Sequence, residues 1–326
     1  MKIAKLALLA HLGLLLSCGA AEEQGTDNKV KSTEQEQSMQ NTPIFNEQQA
    51  YDYIAQQIAF GPRIPNSKAQ ADCANFLEEE LRRHTDTVYR QETQIKAKDG
   101  TNLRCINLVG SINPNAQRRL LLLAHWDSRP WADQEDASQP VLGANDGASG
   151  VAVLLSLAEA IKSSGLNAEL GIDILLTDVE DYGKTEWGDD SYALGAQYWA
   201  RNPHVPQYKA FGGILLDMVG ARNARFPLEG VSAYYAPSLQ QAVWAAASKA
   251  GFSSYFVFEE GGSITDDHVF INQIAGIPTI DIIDLPRNSA TGFVNHWHTT
   301  KDDMSNIDKN TLKAVGQTLL QYIYSL

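Results

Sequence analysis

Cysteine is scarce in this chain, with three in 326 residues, so the fold can hold at most one internal disulfide. Basic residues are also few: 26 Lys and Arg stand against 39 Asp and Glu, a formal charge of −13. No Arg/Lys stripe interrupts that acidity, which excludes nucleic acid as an expected partner. Long apolar runs are missing except at the N-terminus, where the run is too short to cross a bilayer. Histidine is rare as well, seven in all, so histidines grouped with acids carry information. No repeat, long internal linker or second domain is visible.

What is present begins with MKIAKLALLAHLGLLLSC: two lysines, an apolar stretch, then small residues before Cys18. This reads as an export signal over residues 1–18. Leu15, Leu16, Ser17 and Cys18 resemble a bacterial lipoprotein processing box. Cleavage before Cys18 and a lipid on its sulfur are therefore expected, giving a membrane anchor. Gly19 lacks the aspartate that retains such lipoproteins at the inner membrane, so the expected location is the outer membrane, facing the periplasm. Residues 19–42 have almost no large apolar side chain and cannot repay the entropy of ordering, which predicts a flexible polar tether. Residues 43–326 are long enough for one large α/β core. Within them Cys73 and Cys105 either bridge or stay as buried thiols. The helical setting of the first and the strand setting of the second favour thiols.

Hydrophobic periodicity alternates between helix and strand along this body. Helices are predicted over Tyr51–Ala59, Lys68–Arg83, Ser149–Ile161, Ser191–Trp199, Pro237–Lys249, Asp267–Ala275 and Thr311–Tyr324, the last with Asn310 as N-cap. Strands are predicted over Val88–Ile95, Leu103–Val109, Arg119–Ala124, Ile172–Thr177, Phe211–Leu216, Tyr255–Phe258 and Pro278–Ile283. Apolar runs without alternation mean strands covered on both faces. The expected fold is a three-layer α/β/α sandwich on a mixed, mostly parallel sheet.

The reactive residues cluster just past strands or just before helices. His125 and Asp127 follow one buried strand, Glu180 and Asp181 another, and Asp217 ends a third. Asn145 and Asp146 precede a helix, as do Asp266, Asp267 and His268, while His296 and His298 follow the last strand. Open α/β sheets bind ligands at such strand ends. His, Asp and Glu are zinc ligands, and a catalytic zinc keeps one position open.

Seven motifs carry a family resemblance: FGPRIPNS (Phe60–Ser67), LLLAHWDS (Leu121–Ser128), LGANDGASG (Leu142–Gly150), TDVEDYG (Thr177–Gly183), LLDMVG (Leu215–Gly220), ITDDHVFI (Ile264–Ile271) and HWHTTKDD (His296–Asp303). In that order they resemble the glutaminyl cyclase branch of the M28-like zinc aminopeptidase superfamily. The resemblance implies one zinc on Asp146, Asp181 and His298, with aspartate at 181 where animal cyclases have glutamate. It implies Glu180 as acid/base, with Asp217 and Asp266 as a carboxylate network, and Trp187, Phe293 and Trp297 as pocket walls. The implied reaction closes an N-terminal glutamine of peptides or exported proteins to pyroglutamate, releasing ammonia. His125 and Asp217 keep a two-metal aminopeptidase open as the alternative. A binding lipoprotein with a disabled site would lack a ligand or Glu180, and neither is missing.

Overall fold

The computed structural model describes residues Thr42–Leu326. The expected export signal (1–18), Cys18 and all but the last residue of the expected tether (19–42) lie outside the described residues. Among the described residues no helix is long and apolar enough to cross a membrane.

Eight helices and eight strands organise the body. The helices are α1 (Glu47–Ile58), α2 (Lys68–His84), α3 (Ala148–Ser164), α4 (Leu194–Arg201), α5 (Gly230–Tyr235), α6 (Pro237–Lys249), α7 (Asp267–Phe270) and α8 (Lys309–Ile323). The strands are β1 (Thr87–Lys96), β2 (Asn102–Ile112), β3 (Arg118–His125), β4 (Leu170–Thr177), β5 (Gly212–Asp217), β6 (Phe226–Leu228), β7 (Phe256–Glu260) and β8 (Thr279–Ile283). Six of the strands form one sheet in the order β1-β2-β4-β3-β5-β8, and β6 pairs with β7 apart from it. The β1/β2 and β2/β4 pairs are antiparallel; β4, β3, β5 and β8 run parallel.

Strands β4, β5 and β8 are buried at every position, which is why their sequences are mostly apolar and do not alternate, with Asp173, Asp217 and Asp281 as buried exceptions. Neighbouring residues on a strand face opposite ways. On β3, Leu120, Leu122 and Ala124 enter one core, where α1, α2, α3, α6 and α8 pack. Leu121 and Leu123 enter the other, where Ala196 and Trp199 of α4 and Phe270 of α7 pack. Helices thus cover both faces, and the expected three-layer sandwich is the architecture observed. Helix α3 presses directly on β5: a Cβ on Gly150 would lie 2.2 Å from the backbone oxygen of Leu216, so only glycine fits.

Local readings need four corrections. The helix expected from Ser191 starts at Leu194, because Asp189–Ser191 is a separate 3₁₀ turn and Ala193 adopts a left-handed φ of 54°. The helix expected over Asp267–Ala275 continues beyond Phe270 only as a π-helical turn, Ile271–Ala275. The N-cap of α8 is Asp308, whose carboxylate accepts the Asn310 N–H at 2.9 Å; Asn310 lies inside the first turn. Elements β6 and α5 were not expected, since three and six residues are too few to show a period. Cys73 and Cys105 are buried free thiols.

Candidate active site

The parallel strands end together, and their C-terminal loops supply most of the reactive groups. β3 ends at His125, β4 leads into Glu180 and Asp181, and β5 ends at Asp217. Asp146 arrives just ahead of α3, where Gly147 makes the turn at a φ of +96°; a Cβ there would lie 2.6 Å from the Asp127 carbonyl oxygen. Asp266 caps α7, and His298 comes from the long loop after β8. Val179, Met218 and His298 are all left-handed, at φ 56°, 48° and 53°. That conformation is costly for a side chain bearing Cβ, above all for β-branched valine, and it sits beside the reactive residues.

Asp146, Asp181 and His298 converge. His298 Nε2 lies 3.7 Å from Asp146 Oδ2 and 3.5 Å from Asp181 Oδ1. These gaps are too long for good hydrogen bonds. Two ligand atoms each 2.0–2.1 Å from a tetrahedral zinc are about 3.3 Å apart, so the spacing suits a cation. Asp181 Oδ2 is buried without a partner, as expected of a ligand atom. The donor set therefore fits zinc.

The neighbours of this triad fix its chemistry. Asp133 Oδ1 sits 3.1 Å from His298 Nδ1. A carboxylate only accepts, so Nδ1 carries the proton and Nε2 keeps its lone pair for metal. Arg129 donates to Asp181 Oδ1 at 2.8 Å and to Asp133 Oδ2 at 2.6 Å. Burial would raise the Asp181 carboxyl, but His298 and Arg129 outweigh it and hold it low. Asp302 accepts the backbone N–H groups of Asn145 and Asp146 at 2.8 and 3.0 Å, bracing the loop that presents Asp146. Asp127 does the same for Glu180 and Asp181, at 3.1 and 3.2 Å.

His125 belongs to a second triad with Asp146 and Asp217. Its Nε2 lies 3.1 Å from Asp146 Oδ1 and 3.2 Å from Asp217 Oδ1, within hydrogen-bonding reach of both. Burial would lower the imidazole, but Asp127, Asp146 and Asp217 outweigh it and raise it well above the usual range. A proton on Nε2 satisfies these contacts without a second metal.

Glu180 is buried at the same mouth. Burial, then the charges of Asp266 and Asp181, push its carboxyl well above the usual range, against the pull of His125. Burial also lifts Asp217 to about 6 and Asp266 to about 7. Together they surround a pocket of about 230 Å³. That is smaller than the roughly 300–1,000 Å³ of drug-sized ligand sites and suits a single side chain. Its apolar wall includes Phe293 and Trp297, with ring centroids 4.4 Å apart. Trp297 also stacks on His298 at 3.6 Å.

Trp187 departs from expectation. It is not among the residues lining this pocket; it packs edge-on to Trp131 at 6.2 Å, while Thr185 and Tyr192 take the nearby lining positions. Trp187 ends a 3₁₀ turn, Thr185–Trp187, and its ring also neighbours Tyr182 at 6.4 Å and the Lys184 ammonium at 5.0 Å. Every other expected site residue is at the pocket or, for His125, directly beneath it. Arg129 and Asp133 are site residues outside the motifs, and Asp302 lies within HWHTTKDD but had no role assigned to it. Asp133 and His298 are 165 positions apart, and no periodicity links them.

The family model for peptidase family M28 matches residues 107–323. Among solved structures, the chain is similar to Bacteroides thetaiotaomicron glutaminyl cyclase: 47% identity, TM-score 0.85, covering 88% of this chain and 100% of that one. A protein of the same organism described as a leucine aminopeptidase precursor is also 47% identical, at TM-score 0.84, covering 88% and 99%. The glutaminyl-peptide cyclotransferase of Gloydius blomhoffii is 27% identical over 246 residues, 67% of this chain. The match spans 64% of that relative's length.

Proposed function

The chain belongs to the glutaminyl-cyclase/M28-peptidase superfamily, and from that membership we propose that it is a zinc-dependent glutaminyl-peptide cyclotransferase. It converts the N-terminal glutamine of peptides and proteins to pyroglutamate and releases ammonia. The observation that carries this reading is the cation-sized gap at Asp146, Asp181 and His298, beside a buried Glu180 and a space for one side chain.

Zinc held by Asp146, Asp181 and His298 would polarise the γ-carbonyl of the glutamine side chain. The aromatic wall of Phe293 and Trp297 holds the apolar part of that side chain and excludes water. Glu180 takes one proton from the α-amine as its nitrogen bonds to the carbonyl carbon. The carbon–nitrogen bond of the carboxamide breaks, and Glu180 returns the proton to the departing nitrogen, which leaves as ammonia. Asp217 and Asp266 keep Glu180 in a field where it readily holds that proton. Nucleophile and electrophile belong to one residue, so positioning supplies much of the rate. Glu180→Gln should retain zinc by metal analysis yet lose about 10²–10⁴-fold in turnover. Full activity in that variant would remove Glu180 from the mechanism.

The aminopeptidase reading draws on the second triad, His125, Asp146 and Asp217. Equal concentrations of a Gln-peptide and a Leu-peptide separate the two readings. Ammonia from the first supports the cyclase; free leucine from the second supports the peptidase.

The organisation around this body follows the N-terminal sequence: a lipoprotein signal over 1–18, a polar tether over 19–42 and the catalytic body over 43–326. In this reading Cys18 carries a lipid and anchors the enzyme at the outer membrane, facing the periplasm. A clickable palmitate analogue fed to the cells should label the wild type and not Cys18→Ser.

A further inference from the structure

Ring closure uses only the first residue of a peptide, and a pocket of about 230 Å³ has no room for the next ones. The rest of the substrate must cross a bordering surface. Three hollows among the described residues bear on this, each sharing lining residues with the pocket. Two, of about 240 and 230 Å³, meet it only at Thr185 and at Ile264. The third is about 710 Å³ and meets it along both Ser263 and Thr265. The arginine-rich hollow around Arg222 and Arg287 shares no lining residue with the pocket.

The third hollow has a definite chemistry. Tyr234 is 79% exposed, and its ring meets that of Tyr235 edge to face at 4.8 Å. Asp189 and Asp190 line the same hollow. Asp190 is paired with Lys98 at 2.6 Å, whereas Asp189 has no cationic partner among the described residues. An exposed aromatic ring and an unpaired carboxylate lining one hollow suit a cation with an apolar stem.

Resting on the cyclase reading, we propose that this hollow receives the peptide behind its N-terminal glutamine and favours a cationic side chain there, held by Tyr234 and Asp189. The preference is about three- to tenfold, the scale of one exposed cation–π contact with one solvent-exposed ion pair. It falls on KM rather than kcat, because neither group reaches the reacting atoms.

Peptides of the form Gln-Ala-Ala-Ala, with Lys or Glu placed in turn at the second, third and fourth positions, test this through ammonia release. At the responsive position the Lys peptide should show a three- to tenfold lower KM than its Ala parent, and the Glu peptide a higher one. Added salt should narrow the difference. In Asp189→Asn combined with Tyr234→Ser the Lys-to-Ala ratio should approach one. Wild-type turnover without a charge preference, or a preference that survives in the double variant, overturns the assignment while leaving the cyclase intact. No turnover of the Ala parent sinks the cyclase reading and this one with it.

Discussion

His298 offers two ring nitrogens, and Asp133 occupies one of them at 3.1 Å. The carboxylate fixes which nitrogen faces Asp146 and Asp181, and Arg129 fixes the carboxylate in turn. Asp133→Asn removes the charge and can present an N–H to the same ring atom. Zinc affinity should fall about 10–100-fold, read by competition with a chromogenic chelator, and turnover should recover in excess zinc. A different single residue governs pH response. Burial lifts Asp284 to about 7, against roughly 3.9 for an unfolded aspartate. A raised acid favours the fold while protonated, so its contribution is whole below about pH 4 and is lost as pH rises to about 7. Asp284→Asn can still accept the Arg225 N–H, now at 2.9 Å. The variant's advantage in unfolding free energy, read from urea titrations, should grow from pH 4 to 7, then level off, reaching on the order of 1–3 kcal/mol.

Among the elements, α5 shows how a short helix positions a site wall. Glu229 is fully buried, caps α5 by accepting the Val231 and Ser232 N–H groups at 2.8 and 2.6 Å, and reaches across to the Ile264 N–H at 3.0 Å. Ile264 lines the catalytic pocket. Glu229→Ala leaves those donors unmet and should cost about 1–3 kcal/mol, seen as a lower urea midpoint at unchanged slope. Neither α5 nor its cap was legible in the sequence, because six residues carry no period and the capped partners lie 35 positions apart. Longer elements were legible for the opposite reason. The stretch Leu120–Leu123 read as a strand covered on both faces and is one, and Pro237–Lys249 was bounded correctly at both ends by its apolar spacing and its N-terminal proline. The site was legible wherever a motif sat at a strand end, as at Asp181 and Asp217. It was illegible where a side chain outside the motifs acts across the fold, as Asp133 does on His298.

On the scale of the whole molecule, the three residues that fit zinc come from the loop before α3, the loop after β4 and the loop after β8. A metal there ties these segments together and neutralises buried charge. Chelation should abolish turnover and lower the melting temperature, and zinc should restore both. Free zinc at 1,000 times its Kd adds about 4.1 kcal/mol if the unfolded chain does not bind it. The described body has no disulfide; Cys73 packs in the core on the α2 side of the sheet, and Cys105 packs with Ala97, Leu103 and Val179 beside the Glu180 loop. Burial pushes the Cys73 thiol up to about 12 and raises the Cys105 thiol well above its usual range. Each thiol is therefore a clock for its own core: an alkylating reagent can reach it only while that part of the protein is open. Equal labelling rates would mean the two regions breathe as one, and faster labelling at Cys105 would mean the catalytic side opens first.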